Sequence, residues 1–243
     1  VNKISLFAAG SLRLAFRPLL TAFEQETGHQ VNATFGPAGL LRERIEQGER
    51  PQIFASANLG HPQRLVALGM AHAVHPFALN QLCATVRNIP ELAEPELLTV
   101  FCDPQWRVGT STPIADPSGD YAQRLFERLE QLLPGQGSAL RARALPLVGG
   151  PDSAPIPQGR LAAEYLIAQQ QADIFLGYAS YATALAVYPQ IKVRMLPVEL
   201  DFTVIYGLCL LNGACAAAQS LVAFILSAQG QRILQRFGFL PLD

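Results

Sequence analysis

Apolar residues along the chain alternate between two spacings. Lys3–Ala8 is a short apolar run, and behind it Leu12, Ala15, Phe16, Leu19, Leu20 and Phe23 recur at helical intervals. The first segment reads as a strand and the second as a helix, with Ser11 as its N-cap and Gly28 as its stop. A strand over 29–35, a helix over Ala38–Gln47 stopped by Gly48, a strand over Gln52–Ala57 and a helix over Pro62–Leu68 follow. Strands that alternate with amphipathic helices predict a parallel sheet covered by helices.

A second set begins with strands at Gln81–Val86 and Trp106–Thr110. A long helix over Pro117–Leu133 ends at Pro134-Gly135 and is followed by a strand at Ala144–Val148. A helix is read over Arg160–Gln170, a buried strand over Asp173–Gly177 and a short helix over Ala179–Val187. Strands at Val193–Pro197 and Thr203–Leu211 and one or two helices over Ala214–Phe237 close the chain. The Gly/Pro-rich segment Gly149–Gly159 reads as a loop. The predicted fold is α/β with two lobes: residues 1–80 plus 198–243 form lobe I and residues 81–197 form lobe II. Ligands of open α/β sheets lie beyond the carboxyl ends of the strands, so the ligand cleft is expected between the lobes.

Composition narrows the classes. Of 243 residues half are hydrophobic and only 15% are charged, with a formal net charge of −1. Soluble proteins average roughly 25% charged residues. Such a chain is expected neither to be disordered nor to bind nucleic acid through a broad basic surface. The longest apolar stretch, Ala214–Leu226, is broken by Gln219 and Ser220, so no insertion into a membrane is expected. No signal peptide is visible ahead of the first strand; a cleaved export signal is one explanation. Cys83, Cys102, Cys209 and Cys215 contain no CxxC pair, which argues against a zinc site. Cys83 and Cys209 sit in apolar strands and read as buried free thiols.

Enzymatic signatures are missing. His72 and His75 have HxxH spacing but lie in a proline-bounded stretch, loop or strand, with no acidic or cysteine ligand nearby. Ser11 is not in a GxSxG elbow, and neither GxGxxG nor a P-loop occurs. Glu43/Glu46 and Glu127/Glu130 lie beside arginines and read as solvated ion pairs. No metal, cofactor or catalysis is expected.

What recurs instead is a strand followed by small residues and a helix start: at 8–11, 35–39, 116–119, 158–160 and 177–180. A helix N-terminus offers free N–H donors and a partial positive charge, and small residues let an anion reach them. Each turn alone reads as a capped βα connection, and only the conjunction of several points to an anion. Arg160, placed at a helix start where the dipole disfavours a cation, is a candidate for a charge-assisted anion contact, with a surface residue as the alternative. Asp116 reads as a turn residue and Asp120 as a partner of the helix dipole.

The segments FAAGSLRLAF, FGPAGLLRERIEQG, FASAN, DPSGDYAQRLFERL, QADIFLGYASYATAL and AAAQSLVAFILSAQGQRILQRFGF resemble those of the periplasmic molybdate-binding proteins of ABC transporters, over nearly the whole chain. The resemblance implies a two-lobe, class II periplasmic-binding-protein-like fold. It also implies a tetrahedral oxyanion, molybdate or tungstate, held by neutral donors and delivered by an extracytoplasmic monomer to an ABC permease, with hinge closure on binding. Carried over by position, its ligand residues fall on Ser11, on Ala38 with Gly39, on Ser118, near Arg160 and on Tyr178. The departures are Ala38, which lacks the family's hydroxyl beside a proline that lacks an N–H, Ser118 in place of a small apolar residue, and Tyr181 in place of aspartate. Sulfate, a phosphate-like anion or a small carboxylate is the alternative ligand, and an effector-binding domain of a transcriptional regulator the alternative role.

Overall fold

The computed structural model describes residues 3–242. In chain order the first elements are β1 (Lys3–Ala9), α1 (Arg13–Thr27), β2 (Gln30–Gly36), α2 (Ala38–Glu46), β3 (Ile53–Ser56), α3 (Gly60–Ala67) and β4 (Ala71–Asn80). Then come β5 (Leu82–Arg87), α4 (Pro90–Ala93), α5 (Leu97–Cys102), β6 (Val108–Ser111), α6 (Pro117–Leu132) and α7 (Gln136–Arg143). They are followed by β7 (Leu145–Val148), α8 (Ala162–Ala168), β8 (Ile174–Tyr178), α9 (Ala182–Leu185) and β9 (Ile191–Met195). The chain closes with β10 (Val204–Leu211), α10 (Ala216–Leu226) and α11 (Ala228–Arg236). No helix among the described residues is long and apolar enough to cross a membrane.

The chain divides into two units, residues 1–80 with 204–243 and residues 81–203. In the first, the sheet order is β2-β1-β3-β10-β4, with β1, β2 and β3 parallel and β10 antiparallel to both its neighbours. The amphipathic face read in α1 is the one that packs: Ala15, Phe16, Leu19, Leu20 and Phe23 are buried. Gly28 closes that helix at φ +72°, a left-handed turn open to glycine at little cost. Fully buried Phe16, Phe77 and Tyr206 form an aromatic chain that Phe239 extends.

The second unit orders its strands β7-β6-β8-β5-β9, with β6, β7 and β8 parallel. β5 runs antiparallel to β8 and β9. The stretch 198–203, assigned to lobe I from the sequence, packs here. Arg124 and Arg128 of α6 lie over the Phe202 ring, Arg128 donates to the Asp201 carbonyl at 2.6 Å, and Gln81 donates to the Asp201 carboxylate at 2.7 Å. An aromatic residue under two guanidinium groups is held more strongly than its polar neighbours indicate.

Several sequence readings are corrected. Ser11 is not an N-cap: Gly10–Leu12 is a 3-10 turn with Ala9 ahead of it, and no side chain caps it. Arg160 does not start a helix, because Leu161 is the residue that precedes the first turn of α8. Asp116 is more than a turn residue: its carboxylate caps α6. Glu130 does not pair with arginine but accepts from the N–H groups of Gly135 and Ser138 at the start of α7, both at 2.8 Å. β4, α4, α5 and α7 are elements that the sequence pattern does not predict. β4 contains Pro76 and shifts register against β10, so its burial does not alternate.

Candidate functional site

The parallel strands fix where chemistry can collect. In the first unit β1, β2 and β3 end at one edge of the sheet, and the next helical element starts behind each of them. Ser11 follows β1, Ala38 and Gly39 open α2 behind β2, and Ser56 to Asn58 lead from β3 to α3. Ser11 is partly buried, and its hydroxyl lies 2.8 Å from that of Tyr206 on β10, which in turn accepts from Asn80 Nδ2 at 3.4 Å. The hydroxyl is therefore held from behind by a buried ring. Ala38 and Gly39 are buried in the first turn of α2, where the side chains add no hydrogen-bonding group. Ser56 donates to Asn58 Oδ1 at 3.0 Å, and the same oxygen accepts from His61 N at 3.0 Å, so this turn is fastened by its own side chains.

In the second unit β6, β7 and β8 end at one edge, and β5 begins there, with Leu82 paired to Tyr178. Pro117, Ser118 and Gly119 form the buried first turn of α6. A Cβ on Gly119 would lie 2.4 Å from backbone atoms of Thr112 and Pro113, so only glycine permits this approach of helix to loop. Asp116 Oδ1 accepts from Ser118 N at 3.4 Å, and Asp116 Oδ2 accepts from the Ser111 hydroxyl at 2.5 Å. Burial pushes the Asp116 carboxyl above the ordinary carboxylate range, and the Asp120 charge adds to it. Asp116 retains some exposure as a residue; the dense packing around its carboxyl group makes the desolvation.

Asp120 accepts from Ile114 N at 2.8 Å, and burial raises its pKa as well. It holds Ile114 at φ +71° with 72% of its surface exposed. A β-branched residue in that region is strained, a feature concentrated at binding loops. Tyr178 is buried, its ring edge-on to Tyr121 at 6.4 Å between centroids.

Arg160 lies in the connection from β7 to α8, on the strand-end side of the sheet. Its Nε donates to Glu164 Oε2 at 2.8 Å and its Nη2 to Glu164 Oε1, and the guanidinium stands over the Tyr165 ring. Glu164 is only 2% exposed while the Arg160 side chain is 39% exposed. The cation is thus anchored by a buried carboxylate with one nitrogen, Nη1, outside that pair.

The predicted residues fall into two groups, one in each unit. Ser11, Ala38 and Gly39 share the strand-end edge of the first unit, and Ser118, Arg160 and Tyr178 that of the second. Sequence reasoning missed Tyr206, Ser111 and Glu164, whose roles come from burial and long-range pairing that no local pattern carries. All four cysteines are free, and burial pushes the Cys83 and Cys209 thiols up to about 12. Among the described residues no three His, Cys, Asp or Glu side chains gather as a metal site.

The sequence profile of the bacterial extracellular solute-binding proteins matches residues 4–240. The chain belongs to this family. It is 43% identical over 240 residues to an uncharacterized protein of Pasteurella multocida, covering 98% of each chain. It is 26% identical over 252 residues to the molybdate-binding protein ModA of Mycobacterium tuberculosis, covering 98% of this chain and 84% of that one. Its fold is similar to the periplasmic molybdate-binding protein of Azotobacter vinelandii (TM-score 0.78, 18% identity, 99% of this chain and 100% of that one). It is also similar to the sulfate-binding protein SubI of M. tuberculosis (TM-score 0.79, 17% identity, 100% and 88%). These likenesses make the fold the two-lobe α/β architecture of periplasmic binding proteins, and the family is one of solute binding rather than catalysis.

Proposed function

We propose that this extracytoplasmic solute-binding protein captures a tetrahedral oxyanion, molybdate or tungstate in the first place, and delivers it to the permease of an ABC importer. One observation carries the reading. Each unit gathers several helix starts at the carboxyl edge of its parallel strands, with Ser11 in one and Ser118 in the other. Backbone N–H groups and hydroxyls so arranged stabilise an anion without a formal counter-charge. The named activity of the ModA relatives supports the first choice of ligand.

A second reading keeps the mode and changes the anion to sulfate, a phosphate-like group or a small carboxylate. It is favoured by Ala38, which supplies no hydroxyl to the first unit, and by Arg160, whose guanidinium suits a carboxylate or phosphate. A thermal-shift screen with molybdate, tungstate, sulfate, phosphate and small carboxylates tests both. Binding raises the midpoint by linkage. A midpoint that none of these anions moves at buffered millimolar concentration contradicts the oxyanion reading.

A further inference from the structure

The hydroxyl of Tyr206 is a polar group in an apolar place. Tyr206 is fully buried on β10, and its ring meets Phe77 and Phe239 edge-on at 6.1 and 5.3 Å between centroids. Phenylalanine would fill the same space with no hydroxyl to desolvate. The hydroxyl is instead one link of a hydrogen-bond chain drawn from separate elements: Asn80 at the end of β4, Tyr206 on β10 and Ser11 in the turn behind β1. Asn80 is 1% exposed and Tyr206 0%, whereas Ser11 is only partly buried. Of these groups Ser11 is the one that keeps contact with solvent.

The chemistry of these groups gives the chain a direction. Asn80 Nδ2 has only protons to offer, and it donates to the Tyr206 oxygen at 3.4 Å. A phenol is a stronger acid than an aliphatic alcohol, which makes it the better donor, and its ring-conjugated oxygen is the poorer acceptor. Across the 2.8 Å between the two hydroxyls this favours tyrosine as donor and serine as acceptor. A serine oxygen that accepts from behind keeps its own proton for donation on the other side. Hydrogen bonds in such a chain polarise one another, and burial strengthens the effect.

We infer that Asn80 and Tyr206 are positioning residues: their hydrogen-bond chain runs from Asn80 through Tyr206 to Ser11 and presents the Ser11 O–H as an oriented donor to the captured oxyanion. A serine hydroxyl left to itself turns among its staggered positions, and a ligand that needs one of them loses affinity to the selection. An oxygen of an anion accepts, so a hydroxyl already held as a donor is pre-organised for it. The inference rests on the oxyanion reading above and makes the strength of capture depend on two buried residues behind Ser11.

Titration calorimetry with molybdate tests it, with sulfate or phosphate in its place if that is the anion bound. Tyr206→Phe is expected to weaken binding about threefold in the wild-type background and to change nothing further in Ser11→Ala. Asn80→Leu, which keeps the bulk and removes the amide, is expected to weaken it about twofold in the wild type and not in Tyr206→Phe. The decisive variant carries 3-fluorotyrosine in place of Tyr206. Fluorine beside the hydroxyl makes the phenol a stronger donor and a weaker acceptor while the ring keeps its place, a change that a purely structural tyrosine would not transmit to the ligand. Affinity is expected to rise about twofold, and only where Ser11 is present. An affinity that falls shows Ser11 donating inward to Tyr206. That result, an affinity that stays the same, or additive losses in the double variants overturn the inference while leaving oxyanion binding intact. A wild type that binds none of the three anions overturns the oxyanion reading and this inference with it.

Discussion

The Ser11 hydroxyl lies 2.8 Å from the hydroxyl of Tyr206, whose ring is fully buried and packed edge-on against Phe77 and Phe239. A serine in a 3-10 turn is thereby tied across the sheet to β10. The turn's orientation depends on the core as much as on local sequence. Ser11→Ala is expected to weaken oxyanion binding roughly tenfold and to cost about 1 kcal/mol of stability. Tyr206→Phe keeps the ring and removes the hydroxyl, so it should reproduce part of the affinity loss without a cavity. Titration calorimetry and thermal melts on both variants separate the two effects.

Arg160 and Glu164 form a pair in which the carboxylate is the buried member. Removing the arginine alone leaves that carboxylate without its cation, so Arg160→Ala should lower the melting temperature. Glu164→Gln in the same chain should recover much of the loss. The double variant isolates binding from folding. Its affinity for an oxyanion should fall if Arg160 reaches the ligand, and an affinity equal to that of the wild type assigns Arg160 to anchoring the loop before α8.

Asp173 is 5% exposed as a side chain, with Arg107 and Arg87 at 2.9 and 3.0 Å. Burial alone would raise its pKa, but the Arg107 hydrogen bonds and the two positive charges outweigh it, and the carboxyl sits below its ordinary 3.8. A carboxylate with a lowered folded-state pKa contributes stability that is present above the unfolded value and lost as pH falls through the folded one. Asp173→Asn should therefore cost about 1–2 kcal/mol at neutral pH, given the exposed arginines. The difference from the wild type should shrink in acid unfolding below pH 3.8.

His61 behaves alike in sign. Burial first, and then the charge of Arg42, lower its pKa from 6.5 to about 4. Its stabilising contribution is full above pH 6.5 and is lost progressively as pH falls towards 4. His61→Gln should remove that loss, worth roughly 2 kcal/mol after solvent screening. Denaturant melts of both proteins at pH 7 and pH 4.5 provide the comparison.

The alternation of strand and helix was readable where helices are long and faces regular, as in α1, α2 and α6. It failed where tertiary structure decides. β4 contains Pro76 and pairs with β10 through register shifts, so its apolar positions carry no period of two. α4 and α5 hold four and six residues, too few for a helical period to show. In the candidate site, small residues after strands marked Ser11, Gly39 and Ser118 correctly as strand-end residues. The sequence pattern puts Arg160 on a helix start, but Leu161 occupies that position. Tyr206 and Glu164 gave no signal, because a tyrosine in a strand and a glutamate in a helix look ordinary until their burial is seen.

Oxyanion capture is tested most directly by titrating the purified protein with molybdate and with sulfate at pH 6, following heat and melting temperature together. Saturable binding of one anion per chain is predicted, with a raised melting temperature and an affinity that drops in Ser11→Ala and in Gly119→Ala, which disturbs the start of α6. No saturable binding, or binding that neither substitution changes, contradicts the account.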